Sequence, residues 1–307
     1  MTKIALIFPG QGAQAVGMGR EFYDTSAEAK RIFDEADTVI PGLKDVIFNG
    51  PQETLTSTKY CQPGIFTYSV AALEALKAHP KYANLEPVFT AGLSLGGLSA
   101  VAASGSLSFS EALKVVERRS FFMEEATRVK KGAMAAVIGF EEDKIVSICQ
   151  EAGAEVANFN SPDQIVITGE AEAVNKAAAM IKDAGAKRVI PLDVSGAFHS
   201  TLMTPAVEPF AGFLQSVNFK EAGIPVVSNV DGQPASAPET IRQNLIQQIT
   251  SSVQWTKSVE QMAAAGVNTF LEIGPGTVLK GLIRKINKDL TVYTIQKPED
   301  LNSILDA

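Results

Sequence analysis

The sequence predicts an α/β fold, in which a large domain on a mostly parallel sheet is interrupted by a smaller ferredoxin-like subdomain of order βαββαβ. Three observations predict it. Apolar runs of strand length alternate with helical patterns through the first 126 residues, the pattern of a parallel sheet. Gly92-Leu93-Ser94-Leu95-Gly96 lies at one strand-to-helix junction. From residue 130 to 195 the order changes to four short strands around two helices, which is the ferredoxin-like arrangement.

In chain order, Lys3 to Phe8 reads as a buried strand that ends in the loop Pro9-Gly10-Gln11-Gly12-Ala13-Gln14. This loop lacks the Lys-Ser or Lys-Thr ending of a P-loop and the GxGxxG spacing, so it reads as a sharp turn offering NH groups and a glutamine to a site. Helical patterns follow at Glu21 to Val39 and Pro63 to Ala78, then a strand at Pro87 to Ala91 and helices at Leu98 to Ser104 and Ser110 to Ala126. The inserted unit reads as strand Ala133 to Phe140, helix Glu141 to Ala152, strands Val156 to Asn160 and Gln164 to Gly169, helix Ala171 to Ala184, and strand Arg188 to Val194. Pro225 to Val230, Phe270 to Ile273 and Thr291 to Ile295 supply further strands. The expected division is a catalytic domain of residues 1–129 and 196–307 and a subdomain of 130–195.

At 307 residues, 46% hydrophobic and 20% charged, the chain can bury a substantial core. Its net charge of -7 argues against nucleic acid as a partner. Cys61 and Cys149 are far apart and fit no metal-ligand spacing, so reduced thiols, no metal and a cytoplasmic location are expected. Only five apolar residues, Ile4 to Phe8, precede Pro9-Gly10, too few for a signal-peptide core. The uncharged stretch Pro87 to Ser110 is broken by glycines and serines and reads as buried core rather than a membrane span. With no extended coiled coil, a monomer is expected.

Gly92-Leu93-Ser94-Leu95-Gly96 has the form of a nucleophile elbow, in which flanking glycines permit a turn too tight for side chains and the serine projects from the sheet. The amide end of the next helix faces a developing oxyanion there. A serine needs a base, and the chain has two histidines. His79, before Pro80 and between Lys77 and Lys81, reads as an exposed loop residue. His199 lies where the chain leaves the inserted subdomain, a junction at which clefts form, and is the candidate base. On the helix Ser110 to Ala126, at about 100° per residue, Arg119 falls on the apolar side with Ala112, Val115, Val116 and Met123, while Arg118 falls on the polar side. An inward guanidinium must meet an anion: either a protein carboxylate or a substrate carboxylate held beside Ser94.

These residues resemble the malonyl-CoA:acyl carrier protein transacylases of fatty acid synthesis. The resemblance spans the chain through Phe8-Pro9-Gly10-Gln11-Gly12-Ala13-Gln14, the elbow, Arg119, Asn158-Phe159-Asn160-Ser161-Pro162, Gly196-Ala197-Phe198-His199-Ser200, Val253-Gln254-Trp255 and Glu272-Ile273-Gly274-Pro275-Gly276. It implies an α/β-hydrolase-like large domain. It implies Ser94 as nucleophile, His199 as base and acid, backbone NH groups of Gln11 and Leu95 as oxyanion hole, and Arg119 as clamp for the malonyl carboxylate. It also implies that the Gln248 carbonyl orients His199 and that Phe198 narrows the acyl pocket, favouring malonyl over methylmalonyl. The implied cycle is ping-pong, from malonyl-CoA to Ser94 to the phosphopantetheine thiol of acyl carrier protein, with coenzyme A as product and no bound cofactor. A single-activity chain points to fatty acid rather than polyketide supply. An esterase or thioesterase for neutral acyl groups shares the elbow and histidine, but has little use for Arg119.

Three positions depart from the commonest pattern of that family: Leu93 stands where many members have histidine, and Gly97-Leu98 where many have glutamate with an aromatic or similar residue. Because carrier proteins are acidic, docking calls for a basic face, and Lys280, Arg284, Lys285 and Lys288, or Lys187-Arg188, are candidates.

Overall fold

The computed structural model describes residues 2–305. These form the strands β1 (Thr2–Phe8), β2 (Leu85–Gly92), β3 (Gly132–Ile138), β4 (Glu155–Ser161), β5 (Gln164–Glu170), β6 (Arg188–Pro191), β7 (Val226–Val227), β8 (Pro234–Ala235), β9 (Thr269–Ile273) and β10 (Thr291–Ile295). One sheet has the order β10-β9-β1-β2-β7-β8. All its pairings are parallel except that of β7 with β8.

Central strand β1 is apolar from Ile4 to Phe8, and each of these residues is fully buried, as a strand covered on both faces requires. Its side chains alternate between two layers. Ile4, Leu6 and Phe8 join the core formed with helices Ala27–Val39, Thr58–Ala78 and Phe109–Val129. Ala5 and Ile7 pack with Trp255, Val259, Leu279 and Ile283 on the other side. The order expected from sequence is present, with informative differences. The helical run 21–39 breaks at Ser26, whose hydroxyl accepts the Ala29 N–H and caps a second helix. The strand expected at 225–230 is only Val226–Val227, because residues 228–233 turn back toward β8. The strand expected to reach Val194 ends at Pro191: the Leu192 N–H still donates to the Met134 carbonyl at 2.9 Å, but the Val194 N–H turns back to the Leu192 carbonyl at 3.1 Å and leaves the ladder.

The second sheet has the antiparallel order β4-β5-β3-β6, with helices Glu142–Ala152 and Ala171–Asp183 in the βαββαβ order. Ala135 and Val137 of β3 pack toward these helices with Ile145, Cys149 and Ile181. Met134 and Ala136 alternate to the opposite face, where Val194 and Phe198 lie. The edge strand β4 is joined to the large domain: Val253 N–H donates to the Ala157 carbonyl at 2.8 Å and Phe159 N–H to the Val253 carbonyl at 2.9 Å. Burial pushes the thiol of Cys61 up to about 12 and that of Cys149 to about 11, so neither is a reactive thiolate. Among the described residues no helix is long and apolar enough to cross a membrane.

Candidate active site

The elbow forms where β2 meets the helix Leu95–Ala103. Added Cβ atoms show why its flanks are glycine: one at Gly92 would lie 2.1 Å from the Gly96 carbonyl, and one at Gly96 would lie 2.0 Å from the Phe8 carbonyl oxygen. Ser94 takes φ 53° and ψ -102°. The other non-glycine residue with positive φ among those described is His199, at 57°. Such backbones cost about 1–3 kcal/mol and persist where their surroundings hold them.

Ser94 Oγ lies 2.7 Å from His199 Nε2, and His199 Nδ1 lies 2.9 Å from the Gln248 backbone carbonyl. A carbonyl only accepts, so Nδ1 carries the proton and Nε2 presents its lone pair to the serine. His199 is 4% exposed. Burial, and next the Arg119 charge, lower its pKa to about 4 against the pull of backbone hydrogen bonds at Gln248 and Ser251. The imidazole is therefore a neutral base at neutral pH.

Arg119 reaches the same point from the helix Phe109–Val129, which starts at a capping box between Ser108 and Glu111. It is 1% exposed. Nη2 donates to Ser94 Oγ and to Gln248 Oε1, and Nη1 to Gln62 Oε1, each at 3.0 Å. Nε is without a partner among the described residues. Burial lowers the guanidinium to about 10, which leaves it charged at neutral pH. Among the described residues none of its hydrogen-bond partners is a carboxylate, so they surround the buried cation with neutral acceptors. Chemically, such a cation can pair with an anionic ligand that enters the cleft.

These groups open on a cleft of 370 Å³ between the two sheets' units, lined also by Gln11, Leu95, Met123, Asn160 and Phe198. Gln11 follows β1, and its side-chain oxygen is 3.4 Å from Gln62 Nε2. Leu95 is the first residue of its helix, where an N–H has no intrahelical partner. Asn160 is buried with Oδ1 unpartnered among the described residues. The far wall includes Val278 and Leu282 of the helix Val278–Ile286. Buried Glu272 of β9 anchors that helix by accepting the Leu279 and Lys280 N–H groups at 2.9 Å each. Lys280, Arg284, Lys285 and Lys288 are exposed, as are Lys187 and Arg188, and Lys285 pairs with Asp163 at 3.3 Å.

The cleft thus gathers Ser94, His199, Arg119, Gln11, Leu95 and Phe198, with Gln248 behind them. His79 stays outside it, half-buried and accepting the Lys81 N–H at 3.3 Å. Two site residues escaped the sequence reading. Gln62, a Gln in the otherwise mostly apolar run from Cys61 to Leu73, had a visible signal in that polarity. Asn229, which accepts the Ser94 N–H at 2.8 Å, had none. Gly97 faces these amides: a Cβ there would lie 3.2 Å from Gln248 Nε2 and 3.8 Å from Asn229 Oδ1.

The family described as acyl transferase domain matches residues 5–297. The malonyl CoA-acyl carrier protein transacylase of Bacillus subtilis (strain 168) is 44% identical over 98% of this chain and 96% of its own length. That of Staphylococcus aureus (strain MRSA252) is 41% identical over 98% of each. Among solved structures, an acyl carrier protein S-malonyltransferase from Vibrio cholerae O1 biovar eltor str. N16961 superposes with a TM-score of 0.94 at 39% identity, covering 99% of this chain and 100% of that one. A malonyl-transacylase in complex with its type II PKS acyl-carrier protein gives 0.94 at 36% identity over 99% of each chain.

Proposed function

The chain belongs to the acyl transferase family, among the malonyl CoA-acyl carrier protein transacylases, and from that premise we propose that it works by a ping-pong cycle through malonyl-Ser94. In the first half, His199 Nε2 takes the Ser94 proton as Oγ attacks the malonyl thioester carbonyl. The tetrahedral oxyanion is met by the NH groups of Gln11 and Leu95. As the intermediate collapses, the C–S bond breaks and His199 returns the proton to the coenzyme A sulfur. In the second half, His199 deprotonates the pantetheine thiol of the carrier protein, sulfur attacks the Ser94 ester, and the serine leaves with the proton. Atoms and protons balance with Ser94, His199 and two thiols, without a resident cofactor.

The observation that carries this reading is that Ser94 Oγ is hydrogen-bonded at once to a neutral histidine and to a buried arginine that has no carboxylate partner among the described residues. A malonyl carboxylate bound to Arg119 brings its thioester to the nucleophile and fixes its orientation. Ser94 N–H is already engaged by Asn229, which leaves the oxyanion to Leu95 and Gln11. Phe198, beside the base, narrows the pocket near the acyl α-carbon, favouring malonyl over methylmalonyl by about 1–3 kcal/mol, the value of a methyl group.

Incubation with malonyl-CoA followed by intact-mass measurement tests the reading. A malonyl adduct is expected on the wild type and none on Ser94→Ala. Arg119→Ala should load malonyl poorly while loading acetyl groups comparatively well. A full malonyl adduct on Ser94→Ala would refute the mechanism.

A further inference from the structure

Behind the serine and histidine stands an amide with little freedom. Asn229 is 4% exposed and lies in the turn between β7 and β8, its backbone carbonyl accepting the Gln254 N–H at 2.8 Å. Its Oδ1 accepts the Ser94 N–H and its Nδ2 donates to the Gly92 carbonyl, both at 2.8 Å. Backbone groups cannot exchange donor for acceptor, so this side chain has one permitted orientation.

That orientation propagates. Asn229 Oδ1 also accepts Gln248 Nε2 at 2.9 Å, which turns Gln248 Oε1 toward Arg119 Nη2. A reversed Gln248 would set its NH₂ against the guanidinium, donor facing donor. Gln248 also holds His199 through its backbone carbonyl. One asparagine therefore bonds both the elbow and the residue that contacts base and arginine.

We propose that Asn229 is a positioning residue for acyl transfer: it holds Ser94 in its left-handed backbone and sets the polarity of Gln248 toward Arg119. The proposal rests on the assignment of Ser94, His199 and Arg119 above. It makes Asn229 part of acyl selection, through Gln248 and Arg119, although it touches no substrate.

The decisive variant is Asn229→Asp. A protonated aspartic acid repeats the native pattern, one oxygen accepting from Ser94 and Gln248 and the hydroxyl donating to the Gly92 carbonyl. The ionised form sets an acceptor against that carbonyl. The rate of malonyl loading onto Ser94, relative to wild type, is expected to rise about tenfold or more as pH falls from about 8 to about 5.5, following titration of the carboxyl group. A ratio independent of pH would overturn the proposal. Asn229→Ala provides a second measurement: it should lower the ratio of malonyl to acetyl loading in the wild-type background and leave it unchanged in Gln248→Met. Equal reductions in both backgrounds would overturn the relay through Gln248. An adduct persisting in Ser94→Ala would instead remove the underlying site assignment, whereas a Ser94-dependent adduct with a pH-flat Asn229→Asp removes this proposal alone.

Discussion

Ser94 and His199 meet side chain to side chain at 2.7 Å, and both hold backbones of positive φ. The bond between them is thus made by two residues from conformations that isolated chains avoid. Replacing Ser94 by glycine removes the steric penalty, whereas alanine retains it. Ser94→Gly is expected to be about 1 kcal/mol more stable than Ser94→Ala in urea unfolding, both being inactive.

The histidine sets the acid side of the pH profile. With its pKa held near 4 by burial and then by the Arg119 charge, His199 is neutral above that value and kcat/KM for malonyl loading should fall only as pH drops through about 4, the free-enzyme limb. Removing the arginine charge removes one of the two lowering influences. In Arg119→Ala the limb, followed with acetyl-CoA, is expected to move upward toward the ordinary histidine value.

Two neighbouring glycines should respond in opposite ways. A methyl group at Gly96 meets the Phe8 backbone at 2.0 Å, and Gly96→Ala should cost about 3 kcal/mol or more by overpacking against main chain. At Gly97 the nearest atom is the Gln248 amide, beside a 20 Å³ space lined by Gly97, Asn229 and Gln248. Gly97→Ala should keep or raise the melting temperature, since alanine gains up to about 1 kcal/mol in a helix. Its malonyl loading should fall as Gln248 shifts. Unchanged loading by Gly97→Ala would show that Gln248 tolerates displacement.

The exposed basic residues of the helix Val278–Ile286 adjoin the cleft wall, and are proposed to receive the acidic carrier protein. Lys280→Glu with Arg284→Glu should raise the carrier-protein KM about tenfold at low salt and flatten its salt dependence. Acylation of Ser94 at saturating malonyl-CoA should not change. A carrier-protein KM equal to that of the wild type would place docking elsewhere, with Lys187-Arg188 next to be examined.

Glu272 is fully buried, and burial raises its pKa to about 7 against the lowering effect of two backbone hydrogen bonds. A folded-state pKa above the unfolded value means that the folded protein binds more protons between them, so stability is lost as pH rises through about 7. From pH 5.5 to 8 this residue should account for a loss of about 2 kcal/mol. Urea unfolding of Glu272→Gln should lack that component. A variant retaining the full slope would assign it to other groups.

The chemistry-bearing residues were legible wherever local sequence carries the constraint. The elbow glycines announce a turn, and the apolar flank of the helix around Arg119 declares a buried cation. Gln62 and Asn229 belong to a different class, because their roles come from tertiary approach: Asn229 is separated from Ser94 by 135 positions, and no periodicity marks it. The shortened strands at 188–194 and 225–230 failed for a related reason. Their composition suits a strand, but the tight turn of Val194 back onto Leu192 and the turn toward β8 decide where pairing stops. The surroundings of Gly97 are likewise set by tertiary approach, with Gln248 and Asn229 packed against it.

The pairing of β4 with Val253 has a consequence for any attempt to rebuild this protein from parts. Residues 132–191 look like a cassette, with their own sheet and helices, but an outer strand of that cassette is completed by a segment borrowed from the host. That segment begins only a few residues after Gln248, the anchor of the histidine. Grafting the cassette from a relative to alter acyl choice would therefore mismatch the borrowed segment and disturb the base at the same time. The unit of exchange is the cassette together with residues 248–256, and chimaeras cut at the apparent boundaries should lose catalysis before they lose their fold.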